Sequence, residues 1–138
     1  MNSVPIEVAS DVIEAKMDSV LDNIERYLRR WAVEARGGAR MDAPRQTGRL
    51  SSSITSKVTR GSEAVTAVIG TNVYYAPHQE YGTGDRGSND YDGHVSEGVT
   101  FTAGWPGIDP HPYLRPQIYD RETEIIAGIQ DAVRRGLE

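Results

Sequence analysis

Between Asp11 and Arg36 the apolar residues Ile13, Met17, Val20, Leu21, Ile24, Tyr27, Leu28, Trp31 and Ala35 recur mostly at steps of three and four. That period puts them on one stripe of an α-helix. The stripe predicts a long helix over residues 10–36, about seven turns. Ser10 or Asp11 is placed to accept the first orphan amide hydrogens, and Glu14 completes a capping box after Asp11. Gly37-Gly38 are expected to end the helix. Glu14, Asp18, Asp22, Glu25 and Arg29 fall on the opposite, solvated face. A helix of nearly 40 Å, at about 1.5 Å per residue, is longer than one compact domain needs, so part of it is expected to pack on a neighbour. The 138 residues suffice for one such domain and not for two.

After a loop over residues 39–48, Leu50–Arg60 and Ala64–Gly70 are rich in Val, Ile and Thr and flank Arg60-Gly61-Ser62-Glu63, a turn. They read as a hairpin of antiparallel strands. Pro77 opens a short helix that Gly82 stops. Val99–Thr102 looks like a third strand, and Pro116 opens a helix over 116–136 with Ile118, Ile125, Ile126, Ile129, Val133 and Leu137 on one side. The expected fold is α+β: a long N-terminal helix, a small antiparallel sheet, a short middle helix and a C-terminal helix packed on one sheet face.

Charge divides the chain further. Thirteen of the fifteen basic residues are Arg, and with twenty acids the net charge is -5. Residues 85–109 hold five acids and one base, so -4 of the total lies in this stretch. Residues 84–109 hold six glycines and read as an extended loop or hairpin arm. The negative balance argues against a phosphate-backbone binder. With no Cys, disulfides, thiolate zinc sites and cysteine nucleophiles are excluded. No apolar run approaches the roughly 18 residues of a membrane span, and the first residues lack a signal peptide's basic and apolar regions. A chain without membrane attachment or secretion is expected. Arg, Tyr and Trp are favoured at protein contacts, though GC-rich codon use also produces an Arg bias. Trp31, Tyr91, Phe101 and Trp105 are accordingly expected at subunit or partner contacts, the last three because a Gly-rich arm has little core to join.

Candidate chemistry is thin. His78-Gln79-Glu80 has the His-x-Glu spacing of zinc deaminases but lacks the two thiolates. His78, His94 and His111 are too far apart for a short ligand motif, with or without Asp109. Ser51-Ser52-Ser53 has no nucleophile elbow, and Gly82-Thr83-Gly84 has no phosphate-loop Lys. Asp85, Asp90 and Asp92 lack the terminal Glu of a calcium loop. No catalytic residue, metal or cofactor is assigned.

Three motifs stand at the joints between elements: Ala43-Pro44-Arg45-Gln46-Thr47-Gly48-Arg49-Leu50, Tyr75-Ala76-Pro77-His78-Gln79-Glu80-Tyr81-Gly82-Thr83 and His111-Pro112-Tyr113-Leu114-Arg115-Pro116. Each joins rigid or permissive backbone to an ionisable group: Pro44 and Gly48 with Arg49, Pro77 and Gly82 with Glu80, Pro112 and Pro116 with Arg115. A carboxylate near one or two guanidiniums ties such joints by paired hydrogen bonds. Glu80 is therefore expected to pair with Arg49 or Arg115.

The same motifs, in this order and with the long opening helix, resemble the head–tail joining proteins of tailed bacteriophages, the neck or tail-completion proteins related to the minor tail protein Z of lambda. The resemblance covers about residues 10–138. It departs at Gln46, where members often have Asp, at Gln117, where they often have Ala, and in the long acidic arm. It implies a non-enzymatic virion protein of the neck, made in the bacterial cytoplasm. It also implies a homo-oligomeric ring, as a hexamer, beside head-completion or stopper, tail-terminator and tail-tube proteins, with the genome only passing through the channel. The rival readings are a tail terminator capping the tube, a metal-dependent enzyme using His78, Glu80 and Asp109, and a small secreted or toxin-like domain.

Overall fold

The computed structural model describes residues 2–5, 16–45 and 48–138. Strand β1 (Asn2–Pro5) precedes helix α1 (Met17–Asp42), which leads through α2 (Arg49–Ser53) to β2 (Thr55–Arg60) and β3 (Ala64–Gly70). Helix α3 (Ala76–Tyr81), a 3-10 turn at Gly84–Arg86 and the small hairpin β4 (Asp90–Tyr91) and β5 (His94–Val95) follow. The chain ends in α4 (Arg115–Tyr119) and α5 (Glu122–Gly136). The three-stranded sheet is antiparallel, in the order β1-β3-β2.

The periodic stripe does build α1: Val20, Leu21, Ile24, Leu28, Trp31 and Ala35 are all buried. Ser10, Asp11, Ile13 and Glu14 lie outside the described residues. The expected stop at Gly37-Gly38 is wrong, because α1 runs through both glycines to Asp42 and the loop expected from residue 39 starts later. Burial outweighs glycine's poor helix propensity here: Ala39 and Ala43 are buried beyond the pair. Gly38 is also a contact point, since a Cβ there would collide with the Gln117 side-chain amide. Termination comes from Pro44. Ala43 turns extended, with φ -63° and ψ 138°, the conformation a following proline imposes.

The alternating strand β3 turns Val65, Ala67 and Ile69 inward, where they meet the α1 stripe and Ile125 and Ala132 of α5. Arg60 of β2 ties the sheet to α1 through Asp22 and through its Nη2, which donates to the Asp18 carbonyl at 3.4 Å. Helices α1 and α5 approach closely at two glycines. A Cβ at Gly128 would collide with the Tyr27 ring, and one at Gly136 would lie 2.6 Å from Val20 Cα. Lys16 Nζ caps the end of α5 by donating to the Leu137 carbonyl at 2.7 Å.

Three further expectations are corrected. Leu50–Ser53 is helical rather than extended, because Gly48 (φ 77°) reverses the chain and Leu50 turns into the core. Val99–Thr102 is not a strand: left-handed Gly98 and Gly104 bound it, and among the described residues no strand pairs with it. The arm's strands are instead Asp90–Tyr91 and His94–Val95, closed by Asp92 and Gly93 with φ of 49° and 88°. That is the tight Asp-Gly turn that suits a hairpin's twist. The final helix breaks at Asp120–Arg121 into α4 and α5, and Ile126 leaves the buried stripe at 49% exposure.

Gly37 has open space around its Cα, so Gly37→Ala should raise stability by about 0.5–1 kcal/mol through helix propensity. Gly136→Ala should instead lower it by about 1–3 kcal/mol, because the Val20 backbone must move. Urea unfolding of both variants checks the helix course and the interhelical contact together; destabilisation by Gly37→Ala would contradict the continuous helix.

Candidate functional site

Helix α3 begins at Ala76-Pro77, where proline's missing N–H and fixed φ cost nothing. It ends at Gly82, whose φ of 73° turns the chain away. This one and a half turns deliver Glu80 to the interior, where the residue is 2% exposed. Its Oε1 accepts from the backbone N–H of Tyr113 at 3.0 Å and of Leu114 at 2.7 Å. Oε2 accepts from Arg115 Nε at 2.7 Å, and Arg115 Nη2 donates to the Glu80 carbonyl at 2.6 Å. The carboxylate thus neutralises Arg115 and also satisfies amides at the start of α4, the role a capping side chain usually plays from within the same segment.

The guanidinium is held on its remaining side by rings. Its central carbon lies 4.4 Å from the Tyr81 ring centre and 5.5 Å from that of Tyr91. Arg115 Nη1 is buried with no hydrogen-bond acceptor. Tyr113 is fully buried, and its hydroxyl donates to the Ala76 carbonyl at 3.1 Å. Burial, reinforced by the Glu80 charge, pushes the Tyr113 phenol far above its ordinary value. His111 N–H donates to the Gln79 carbonyl at 2.7 Å, so the third motif is clasped to α3 at both ends.

The first motif joins through its apolar residues. Ala43 and Leu50 pack in one cluster with Ala39, Ile54, Val73, Ala76 and Tyr113, so all three motifs share a small second core. Arg49 stands exposed at the first position of α2 and lines an open cleft of about 920 Å³ with Pro44, Gly48, Tyr75, Trp105 and Ile108. Gln46 and Thr47 lie outside the described residues. Sequence reasoning missed Gln117. It is buried, and its Nε2 donates to Asp42 Oδ2 at 3.0 Å and to the Tyr113 carbonyl at 3.2 Å. It also missed Arg40, whose Nε and Nη2 donate to the Ile54 carbonyl at 3.1 and 2.7 Å. No spacing marks either residue: Gln117 reaches back to Asp42 at the end of α1, and Arg40 reaches Ile54 across the chain reversal at Gly48.

The aromatic candidates separate. Trp31 is not a surface contact: it is 1% exposed, and its Nε1 donates to the Gln117 carbonyl at 3.3 Å. Its place in the apolar stripe carried it into the core. Trp105 is 48% exposed, while Phe101 is half-buried beside Gly87. Tyr91 lies over Arg115, and its hydroxyl donates to Asp120 Oδ1 at 2.7 Å. His94 stacks on Tyr119 with ring centres 4.0 Å apart. His111 Nδ1 lies 3.0 Å from the Asp109 carbonyl oxygen. Among the described residues no group of three His, Asp or Glu side chains converges as a metal site. Glu80 in particular has both oxygens committed to protein donors, which removes it from any ligand set with His78 and Asp109.

The feet of the arm lie beside the Glu80–Arg115 pair. Thr83 N–H donates to the Ile108 carbonyl at 3.0 Å, Asp85 N–H to that of Trp105 at 2.9 Å and Ser88 N–H to that of Tyr81 at 2.8 Å. Gly84 and Gly107, with φ of 60° and 68°, let the two feet touch backbone to backbone.

Residues 9–82 match the family model described as "Bacteriophage HK97-gp10, putative tail-component". The chain belongs to this family. No curated protein and no solved structure matches it. The matched span is just over half of the chain and reaches from before α1 through α3, so it contains Glu80 and ends at Gly82. Arg115 lies beyond it and is joined to it by the buried pair. An HK97-gp10-like chain is a phage tail component, a structural protein of the virion. No helix among its described residues is long and apolar enough to cross a membrane.

Removing the charge with Glu80→Gln leaves Arg115 buried without its counter-ion and should cost about 3–5 kcal/mol in denaturant unfolding. An effect below about 1 kcal/mol would show that the pair is not the tie described. The Tyr91 phenol, raised chiefly by burial and then by its bond to Asp120, is pushed up to about 12. A group whose folded pKa is raised stabilises fully below its unfolded value of 10.0 and loses that contribution as pH climbs toward about 12. Ultraviolet titration should therefore show late-ionising phenols, Tyr113 among them, and Tyr91→Phe should remove one of them.

Proposed function

We propose that this tail component is a head–tail connector or tail-completion protein of the phage neck, working as a homo-oligomeric ring, most simply a hexamer. Its work is binding and geometry rather than catalysis. The observation that carries the reading is the family match together with the knot that follows it. Residues 9–82 belong to a tail-component family, and the His-Pro-Tyr-Leu-Arg-Pro motif of the lambda Z resemblance is bonded into that region through Glu80. The result is a single tied body that carries a long, acidic arm, surface that a small subunit can offer to neighbours around an axis.

Two surface features support the same reading. Met41, Tyr74 and Trp105 are 77%, 80% and 48% exposed in the single chain, large side chains that a neighbouring subunit could cover. The acids of residues 85–109 give a negative lining to whatever the arm faces. Turned to the channel, they would let the genome pass without gripping it; turned outward, they would meet head-completion, tail-terminator or tail-tube proteins.

Native mass spectrometry and sedimentation of the purified chain, with cross-linking of purified virions, test the proposal. A closed ring in solution or in the particle, located where tail meets head, is the expected result. Density at the tail-tube end would assign a tail terminator instead, and a protein monomeric in both settings would refute the ring.

A further inference from the structure

The end of α1 and the hairpin of the arm carry opposite charge. Residues 36–49 hold four arginines (Arg36, Arg40, Arg45 and Arg49) against one acid, Asp42, for a net +3. Residues 90–97, the hairpin and its flank, hold Asp90, Asp92 and Glu97 and no Lys or Arg, for a net -3. Beside the arginines runs the cleft of about 920 Å³, with Leu50, Tyr75, Trp105 and Ile108 in its walls and Arg49 on its lining. At the arm's tip, Val95 is 64% exposed and stands between exposed Asp92 and Glu97. One surface is a mixed groove in which Leu50, Tyr75, Trp105 and Ile108 stand with the polar His78, Gln79 and Thr83 and with Arg49 as its cation; Arg45 is exposed four positions before Arg49. The other is an apolar side chain flanked by carboxylates.

Within one chain they do not meet. The hairpin is held on the α4 side by the Tyr91–Asp120 bond of 2.7 Å, by His94 stacked on Tyr119 and by His94 Nε2 at 3.5 Å from Glu122 Oε2. Neither the hairpin nor these three partners lines the groove. We infer that the groove between α2, α3 and the arm's base receives the β4–β5 hairpin of a second copy of this chain. Val95 enters between the apolar walls, and Asp92 and Glu97 face Arg45 and Arg49. Groove and hairpin are different patches of one surface, so the contact is head-to-tail, the kind that closes into a ring. Matched charge at its rim would speed encounter and set register more than it would add affinity. Arg45 is exposed, with its Nη2 donating to the Arg40 carbonyl at 3.0 Å.

The inference rests on the ring reading above, and the test separates the two. The chain has no cysteine, so two single-cysteine variants, Arg45→Cys and Glu97→Cys, can be mixed and oxidised. The mixed pair should cross-link well above either variant alone, and about 1 M NaCl, with a screening length near 3 Å, should suppress it. Arg45→Glu and Glu97→Arg should each weaken self-association about tenfold, and combining them should restore it to within about threefold. Thermal melts establish that each variant is folded. Equal yields of mixed and like pairs, or a ring whose mass ignores both charge swaps, overturn the docking and leave the ring standing. A wild-type chain that is monomeric at high concentration and in purified virions overturns both. Binding of an acidic segment from another tail protein in the groove, without the mixed cross-link, also overturns it.

Discussion

The Glu80 carboxylate is the point on which the rest of the structure hangs. Its two oxygens take three donors, two of them backbone amides that open α4 and the third the Arg115 side chain. Burying a charge is costly unless it is paired and hydrogen-bonded. Here pairing and bonding come from a segment more than thirty residues away, so the carboxylate is comfortable only when the C-terminal part of the chain is in place. The pair thus ties α4 to α3, because separating them would leave two buried charges without partners.

That placement controls the arm. Everything from Thr83 to Asp109 leaves the body next to Glu80 and returns next to Arg115. The ion pair and the backbone bonds between the feet close a loop whose entropy would otherwise oppose any fixed direction. The glycines at 84 and 107 matter because two backbones meet there without room for side chains. An excursion this long gains little from its own interior, which has few buried residues, so its orientation comes from its base and from the hairpin's contacts with α4.

Periodicity made α1, β2, β3 and the C-terminal helical stripe legible, because burial against one core imposes steps of 3.6 and 2 directly on the residue order. The errors fell where a distant contact overrode a local preference. Gly37-Gly38 read as a helix end, but buried Ala39 and Ala43 and the Gln117 amide held them helical. Val99–Thr102 had strand composition with no partner strand. Trp31 read as an interface residue by type, while its position in the stripe already placed it in the core.

The sequence by itself determined the long helix, the β2–β3 hairpin and the C-terminal helical stripe, the concentration of negative charge in one arm, the absence of thiol chemistry and the three motifs with their single ionisable groups. These are properties of composition and short spacing, which do not need a fold to be stated. Only the tertiary structure decided that Glu80 is spent on Arg115 and on the amides of α4, that Arg49 stands instead on an open cleft, and that Tyr113, Gln117 and Arg40 complete the joint. The physical reason is that a buried charge is defined by what surrounds it. The donors around Glu80 come from residues 113–115, and no local pattern records that they fold back to meet it.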